Sequence, residues 1–294
     1  MPDSYNFYVE VGMANYLDPK NDLTFKRVFG EHPDVLISFL NALMPFESER
    51  HIVEVEYLPA ELVPENPAKK DSIVDVRCKD NFGRLFIVEM QIYWTEAFYN
   101  RIVFNAGKAY VRQLDSGEDY HLLQPVYTLS ILNQNFDHKT EQFYHHYQIA
   151  NRENTDEIIP GLEFVLVELP KFHPETIKER KLAVLWLRFL KEVNEKMRVL
   201  PTEMQENKYI NKAAKLCEIG AFTPEELATY ERYWDSVSIE KTLVGGAFRE
   251  GVIIGKSEVI VNGFKMGLSI ENLTTLTDLT EEQITETLKQ HNLL

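Results

Sequence analysis

The stretch Asp71-Ser72-Ile73-Val74-Asp75-Val76-Arg77-Cys78-Lys79 is followed by Asp80-Asn81-Phe82-Gly83 and then by Arg84-Leu85-Phe86-Ile87-Val88-Glu89-Met90-Gln91-Ile92-Tyr93. Two runs of period-2 alternation around a cluster of turn residues read as a β-hairpin. The alternation predicts one face carrying Val74, Val76, Cys78, Phe86, Val88, Met90 and Ile92, and the other carrying Asp75, Arg77, Glu89 and Gln91. A turn centred near Phe82 sets Asp75 opposite Glu89, with Cβ atoms about 5 Å apart. Carboxylates so placed repel. They are accommodated by a divalent cation between them, by a shared proton, or by a register shifted by one or two residues.

Working outward, Asp18-Pro19-Lys20-Asn21-Asp22 precedes Phe25, Val28 and Phe29 at helical spacing, with Asn21 or Asp22 as the cap. A second helix is predicted over 34–44, ended by Pro45, then a strand over 52–58 and a proline-rich loop over 59–67. After the hairpin come a helix over 95–115 and strands near 125–132, 141–150 and 162–169. This order predicts an α/β fold with helices flanking a mixed sheet. Beyond Pro170 the pattern turns helical: residues 176–196 carry Leu182, Leu185, Trp186, Phe189 and Leu190, and 210–218 and 224–234 continue it. Gly245, Gly246, Gly251, Gly255, Gly263 and Gly267 then punctuate an imperfect helix or linker with no phosphate-loop spacing. The end, 268–276 and 279–288, reads as two capped helices, either a helix-turn-helix or an interaction hairpin.

The 294 residues carry a formal charge of -15, spread as about -12 over 1–173, about +3 over 174–200 and about -6 over the rest. A phosphate-binding surface must therefore be a local patch, and a bound divalent cation would offset part of the acidic excess. Cys78 and Cys217 lie far apart without ligand-like spacing, so neither a disulfide framework nor a zinc knuckle is indicated, and a reducing cytoplasm is the natural reading. No signal-like opening and no run of roughly 20 apolar residues occurs, so no membrane role is expected.

An Asp and a Glu on paired strands, with a polar side chain two positions after the Glu, is the layout of a metal-dependent phosphodiesterase. The carboxylates hold Mg²⁺, and the third group orients or helps deprotonate water. That third position is normally Lys. Here it is Gln91, which can neither act as a base nor supply charge. The plainer alternative makes Asp75 and Glu89 the solvated face of a half-exposed hairpin, pairing with Arg77 and Lys79. Arg101, Asn105, Lys108 and Arg112 predict a basic stripe on the following helix, opposite Phe98, Ile102, Ala106, Ala109 and Tyr110, for DNA phosphates or as a solvated face. Asp22, with Lys26 one turn later, would add a third acid and a cation, or serve only as a cap. His138, His145 and His146 read as surface or packing residues, Trp186 and Phe189 as core, and Cys78 as a small buried hydrophobe.

Several blocks together resemble a known family: Asp18-Pro19-Lys20-Asn21-Asp22-Leu23-Thr24-Phe25-Lys26-Arg27-Val28-Phe29-Gly30, Ile37-Ser38-Phe39-Leu40-Asn41-Ala42-Leu43, Ile73-Val74-Asp75-Val76-Arg77, Val88-Glu89-Met90-Gln91, Arg101, and Glu168-Leu169-Pro170-Lys171-Phe172. These resemble the recombination-promoting nuclease and transposase family of the PD-(D/E)XK superfamily, as does Gly267-Leu268-Ser269-Ile270-Glu271-Asn272-Leu273 near the end. The resemblance implies a restriction-endonuclease-like core, placed here over 1–173, while the sequence pattern itself divides the rest into a helical extension over 174–244 and a glycine-punctuated helical tail with a helix-turn-helix-like end over 245–294. It implies cleavage of DNA with Mg²⁺, or Mn²⁺ in its place, in recombination or mobile-element biology, with a homo-oligomer compatible. Asp75, Glu89 and Gln91 fall on its catalytic strand positions, with Asp22 as an added acid and metal ligand. Lys26, Lys108 or a second metal is left to supply the charge of the absent Lys. The competing class is a weak or inactive nuclease-like module that binds DNA or a protein partner.

Overall fold

A computed structural model describes residues 15–46, 48–61, 74–92, 95, 97–174 and 181–294. The start of the hairpin at 71–73, most of the proline-rich loop and the first turn of the 176–196 helix lie outside the described residues. The mixed α/β architecture expected from the sequence is present. Helix α1 (Asp22–Gly30) is capped by Asn21, whose Oδ1 accepts from the Leu23 N–H at 3.0 Å, and it buries Phe25, Val28 and Phe29. Helix α2 (Pro33–Leu43) opens with a proline in its first turn, where the missing N–H is harmless, and buries Val35, Leu36, Phe39, Leu40 and Leu43.

Six strands follow: β1 (Val55–Tyr57), β2 (Val76–Asp80), β3 (Leu85–Gln91), β4 (Val126–Leu132), β5 (Tyr144–Ala150) and β6 (Ile158–Glu168). They form one sheet in the order β1-β2-β3-β4-β6-β5. Neighbours β1, β2 and β3 run antiparallel, β3, β4 and β6 parallel, and β5 antiparallel to β6. Helix α3 (Ala97–Val111) makes the crossover from β3 to β4 that a parallel pair requires.

One face of the sheet presents Val76, Cys78, Phe86, Val88, Leu129, Ile131, Val165 and Val167 to α1, α2, α4 (Lys181–Glu192) and α6 (Lys208–Leu216). Trp186 is fully buried there, its ring centre 5.4 Å from that of Phe39 and its Nε1–H donating to Ser38 Oγ at 3.2 Å. The other face presents Leu85, Ile87 and Val126 to Ala106 and Ala109, and Leu132 and Leu166 to Phe98 and Ile102, all four partners on α3. Between α4 and α6 lies the short α5 (Thr202–Glu206).

Two compact units emerge, Met1–Trp234 and Asp235–Leu294. Helix α7 (Pro224–Lys265) crosses that boundary and runs unbroken through Gly245, Gly246, Gly251, Gly255 and Gly263, so the punctuated segment is helix and not linker. Each glycine costs a helix roughly 1 kcal/mol against alanine, too little to end one that holds no internal proline. In the second unit α8 (Ile270–Thr277), capped by Ser269, and α9 (Glu281–Gln290), with a Thr280–Gln283 capping box, close on α7 around Ile260, Leu273, Ile284 and Leu288. A Cβ on Gly263 would stand 2.7 Å from Leu273 Cδ2, which is why that position takes glycine. Among the described residues, no helix is long and apolar enough to cross a membrane.

Candidate functional site

The hairpin register is fixed at its turn. Asp80 Oδ1 accepts from the N–H groups of Phe82 and Arg84, both at 2.9 Å, its Oδ2 takes Arg84 Nε at 2.7 Å, and Gly83 supplies the positive φ of 80°. From there the rungs run Lys79↔Leu85, Cys78↔Phe86, Arg77↔Ile87 and Val76↔Val88. Asp75 stands one step beyond the last rung, opposite Glu89 in the continuation. It makes no further rung: the chain bends at Asp75, whose Oδ2 accepts from the Met90 N–H at 2.7 Å. The bend turns Val74 over, so that it packs with Leu85, Ile87, Ala106 and Ala109 on the α3 side, not with Val76 as the alternation predicted.

Glu89 is only 6 % exposed and faces α3. Its Oε1 accepts from Asn105 Nδ2 at 3.1 Å, while its Oε2 is buried with no hydrogen-bond partner among the described residues. Next to it, β4 pairs Ser130 with Glu89, and Ser130 Oγ is likewise buried without a hydrogen-bond partner among the described residues. Sequence reasoning overlooked Ser130 because nothing in its own strand marks it. The α3 stripe also needs correcting. Asn105 is buried among Phe98, Ile102, Ala106 and Ala109, on the face that meets the sheet, not opposite it. Only the sheet's position decides which arc of the helix is inward.

Arg101, exposed at the start of α3, donates through Nη2 to Gln91 Oε1. Its charge acts on both carboxyls. Burial pushes Asp75 up to about 6, and Asp22 adds to this while the Met90 N–H, Lys26 and Arg101 oppose it. Burial pushes Glu89 up to about 7, with Asp75 adding and Arg101 and Asn105 opposing. The sequence-derived residues Asp75, Glu89, Gln91, Arg101, Asp22 and Lys26 therefore meet at one end of the sheet. Lys108 lies further along α3 over the Phe104 ring, and Arg112 faces Arg77.

Mg²⁺ is commonly held by one or two carboxylates, with water and substrate phosphate completing its shell. Two apposed carboxylates whose charged forms are disfavoured, one with an orphaned oxygen, fit such a cation. Among the described residues, no group of three or more His, Cys, Asp or Glu side chains is arranged to hold a metal. Asp22 is engaged by Lys26 Nζ at 2.8 Å.

A second polar cluster was not read from the sequence. At the end of β6, the fully buried Glu168 accepts from the backbone N–H of Phe136 at 2.8 Å and of Asp137 at 3.3 Å, and from Lys171 Nζ at 2.8 Å, and it lies 2.8 Å from His145 Nε2. His146 similarly meets Glu163 at 2.9 Å. Both histidines thus have acidic partners, reached only through the β5–β6 pairing.

Residues 19–241 match the family model for PD-(D/E)XK nuclease family transposases. No curated protein and no solved structure is significantly similar to the chain.

Proposed function

The chain belongs to the PD-(D/E)XK nuclease family of transposases, and on that premise we propose that it is a Mg²⁺-dependent endodeoxyribonuclease, with Mn²⁺ able to substitute, acting in recombination or element mobility. The observation that carries this reading is the orphaned, buried Glu89 Oε2 beside Asp75, both carboxyls being raised by burial and awaiting a countercharge. Asp75 and Glu89 would hold the cation. When bound, it supplies charge to the phosphoryl oxygens and lowers the pKa of a coordinated water.

The remaining residues prepare that chemistry. Asn105 fixes the rotamer of Glu89 by holding Oε1, which leaves Oε2 directed away from it. Gln91 cannot take a proton, so its amide orients water or substrate. Arg101, held by Gln91, brings positive charge to the place where a Lys is customary, and its planar fork suits a phosphate. Lys26, Lys108 and Arg112 would contact DNA backbone further out. Two buried free thiols support a reducing, cytoplasmic setting. The reading of an inactive DNA- or protein-binding module draws on one observation, the amide of Gln91 at the Lys position.

Purified protein is expected to nick or linearise plasmid with Mg²⁺ or Mn²⁺ and not in EDTA. Asp75→Ala and Glu89→Ala should each lower the rate at least 10³-fold, about 4 kcal/mol, with unchanged circular dichroism. Full activity in either variant overturns the assignment. DNA binding by the native protein without cleavage in any divalent cation favours the module.

A further inference from the structure

Two arginines on the α3 side of the sheet face each other without an acid between them. Val76 and Cys78 of β2 enter the main core, so Arg77 between them projects to the opposite face, where its rung partner Ile87 packs on α3. Arg112, just past the last turn of α3, is the charge that acts on it. Burial and that charge both pull Arg77 down from its ordinary value, and no carboxylate among the described residues opposes them. Arg77 Nε is buried without a hydrogen-bond partner among the described residues.

The chain is not short of acids: 46 Asp and Glu stand against 31 Lys and Arg. Elsewhere they answer the cations. Arg84 takes Asp80, Arg188 takes Glu192 and Glu203, and Lys79, two residues along β2 from Arg77, takes Glu56. Yet the segment from Ala97 to Leu114 holds no Asp or Glu, and among the described residues neither Arg77 nor Arg112 makes an ion pair. Cations set together repel until an anion lies between them. Each guanidinium is a planar fork of N–H donors that fits a phosphate, and two forks from different elements can hold one phosphate from two sides. Position agrees with such a ligand. Glu89 lies two residues beyond Ile87 along β3, about 7 Å at the rise of a strand, so an anion at the arginines is a neighbour of the carboxylates and not their occupant.

We propose that Arg77 and Arg112 form a phosphate clamp that grips one non-scissile phosphate of the substrate strand; the clamp deepens the nuclease reading and rests on it. Fluorescence anisotropy with a labelled DNA oligonucleotide, with and without a 5′-phosphate and in Ca²⁺ in place of Mg²⁺, reads it without turnover. Arg77→Met, which keeps the apolar stem, and Arg112→Gln should each weaken binding about 10-fold and lower the slope of log affinity against log salt by about 1. Since one phosphate is held, the double variant should lose scarcely more than either single one. A loss confined to the 5′-phosphorylated strand assigns the clamp to a strand end, and a loss in both assigns it to an internal phosphate. Unchanged affinity and slope in the double variant overturn the proposal, as do losses that simply add. Should Arg77→Met not fold, Arg112→Gln alone must show the loss or the proposal fails. A chain that binds DNA through the pair but never cuts sinks the nuclease reading alone. If the native chain binds no DNA, the clamp is judged on inorganic phosphate, which should raise the thermal midpoint of the native protein above that in sodium chloride of equal ionic strength, and not that of the double variant. Equal shifts in the two proteins, or none, overturn it.

Discussion

Two glutamates lie toward the C-terminal ends of parallel strands that flank β4, Glu89 in β3 and Glu168 in β6, and both are buried. Glu168 is fully answered: two backbone N–H groups, Lys171 and His145 surround its two oxygens. Glu89 has one amide on one oxygen and, among the described residues, no hydrogen-bond partner on the other. Burial is therefore not what distinguishes a structural carboxylate from one prepared for a ligand. Completion of its partners is. The first kind fixes the loop that carries Phe136 and Asp137, whereas the second stores an unfavourable charge that a cation can relieve.

The contrast is most sharply tested by removing each in turn. Glu168→Ala leaves the buried Lys171 ammonium with only the Gln142 carbonyl at 3.3 Å, and the backbone N–H groups of Phe136 and Asp137 without their acceptor, and should cost about 3–5 kcal/mol in urea unfolding. Glu89→Gln should instead raise stability in EDTA at pH 8, by up to about 3 kcal/mol, and change little near pH 4. Destabilisation by Glu89→Gln at pH 8 would show that Glu89 is structural after all.

Next in size is the pH dependence. Asp75 and Glu89 rise from 3.8 and 4.5 to about 6 and about 7 on folding, so the folded chain binds protons more tightly than the unfolded one. Their contribution to stability is present below about pH 4 and lost as pH climbs through 6 and 7, a few kcal/mol in all. Unfolding midpoints measured from pH 4.5 to 8 in EDTA should fall by more than those of Glu89→Gln, and Mg²⁺ should flatten the difference. Parallel pH profiles for the two proteins would remove the stored charge from the comparison.

The smallest effect concerns Gln91. Gln91→Ala should slow turnover about 10-fold, roughly 1.4 kcal/mol, with metal affinity nearly unchanged by calorimetry. Loss of metal affinity at unaltered turnover would place Gln91 among the ligands.

How much of this could be read in advance depended on the distance over which each contact is set. Local signals carried the hairpin: Asp80 to Gly83 define a turn, the turn defines the rungs, and the rungs carry Asp75 to the level of Glu89. Asn21, Ser269 and Thr280 likewise announced their helices by capping chemistry a few residues long. Asn105 was misread because a helix wheel fixes relative angles and not which arc meets the sheet. Val74 was misread because strict alternation assumes a straight strand, and the Asp75 carboxylate takes the Met90 N–H and bends it. Ser130 and the Glu168 cluster were invisible because, Lys171 apart, their neighbours arrive from strands and loops more than 20 residues away, through a pairing that no local pattern encodes.

Cys78 and Cys217 sit wholly inside the large core that α1, α2, α4 and α6 share with the sheet, and burial holds both thiols in the protonated form, Cys78 at about 12. Alkylation consumes thiolate, so neither sulfur can be labelled until the chain around it opens. The fold thus contains two internal clocks: Cys78 counts openings of the hairpin that bears Asp75 and Glu89, and Cys217 counts openings of the helical layer behind it. Equal labelling rates would mean that hairpin and helices part only together. A faster Cys78 would mean that the carboxylate hairpin breathes on its own.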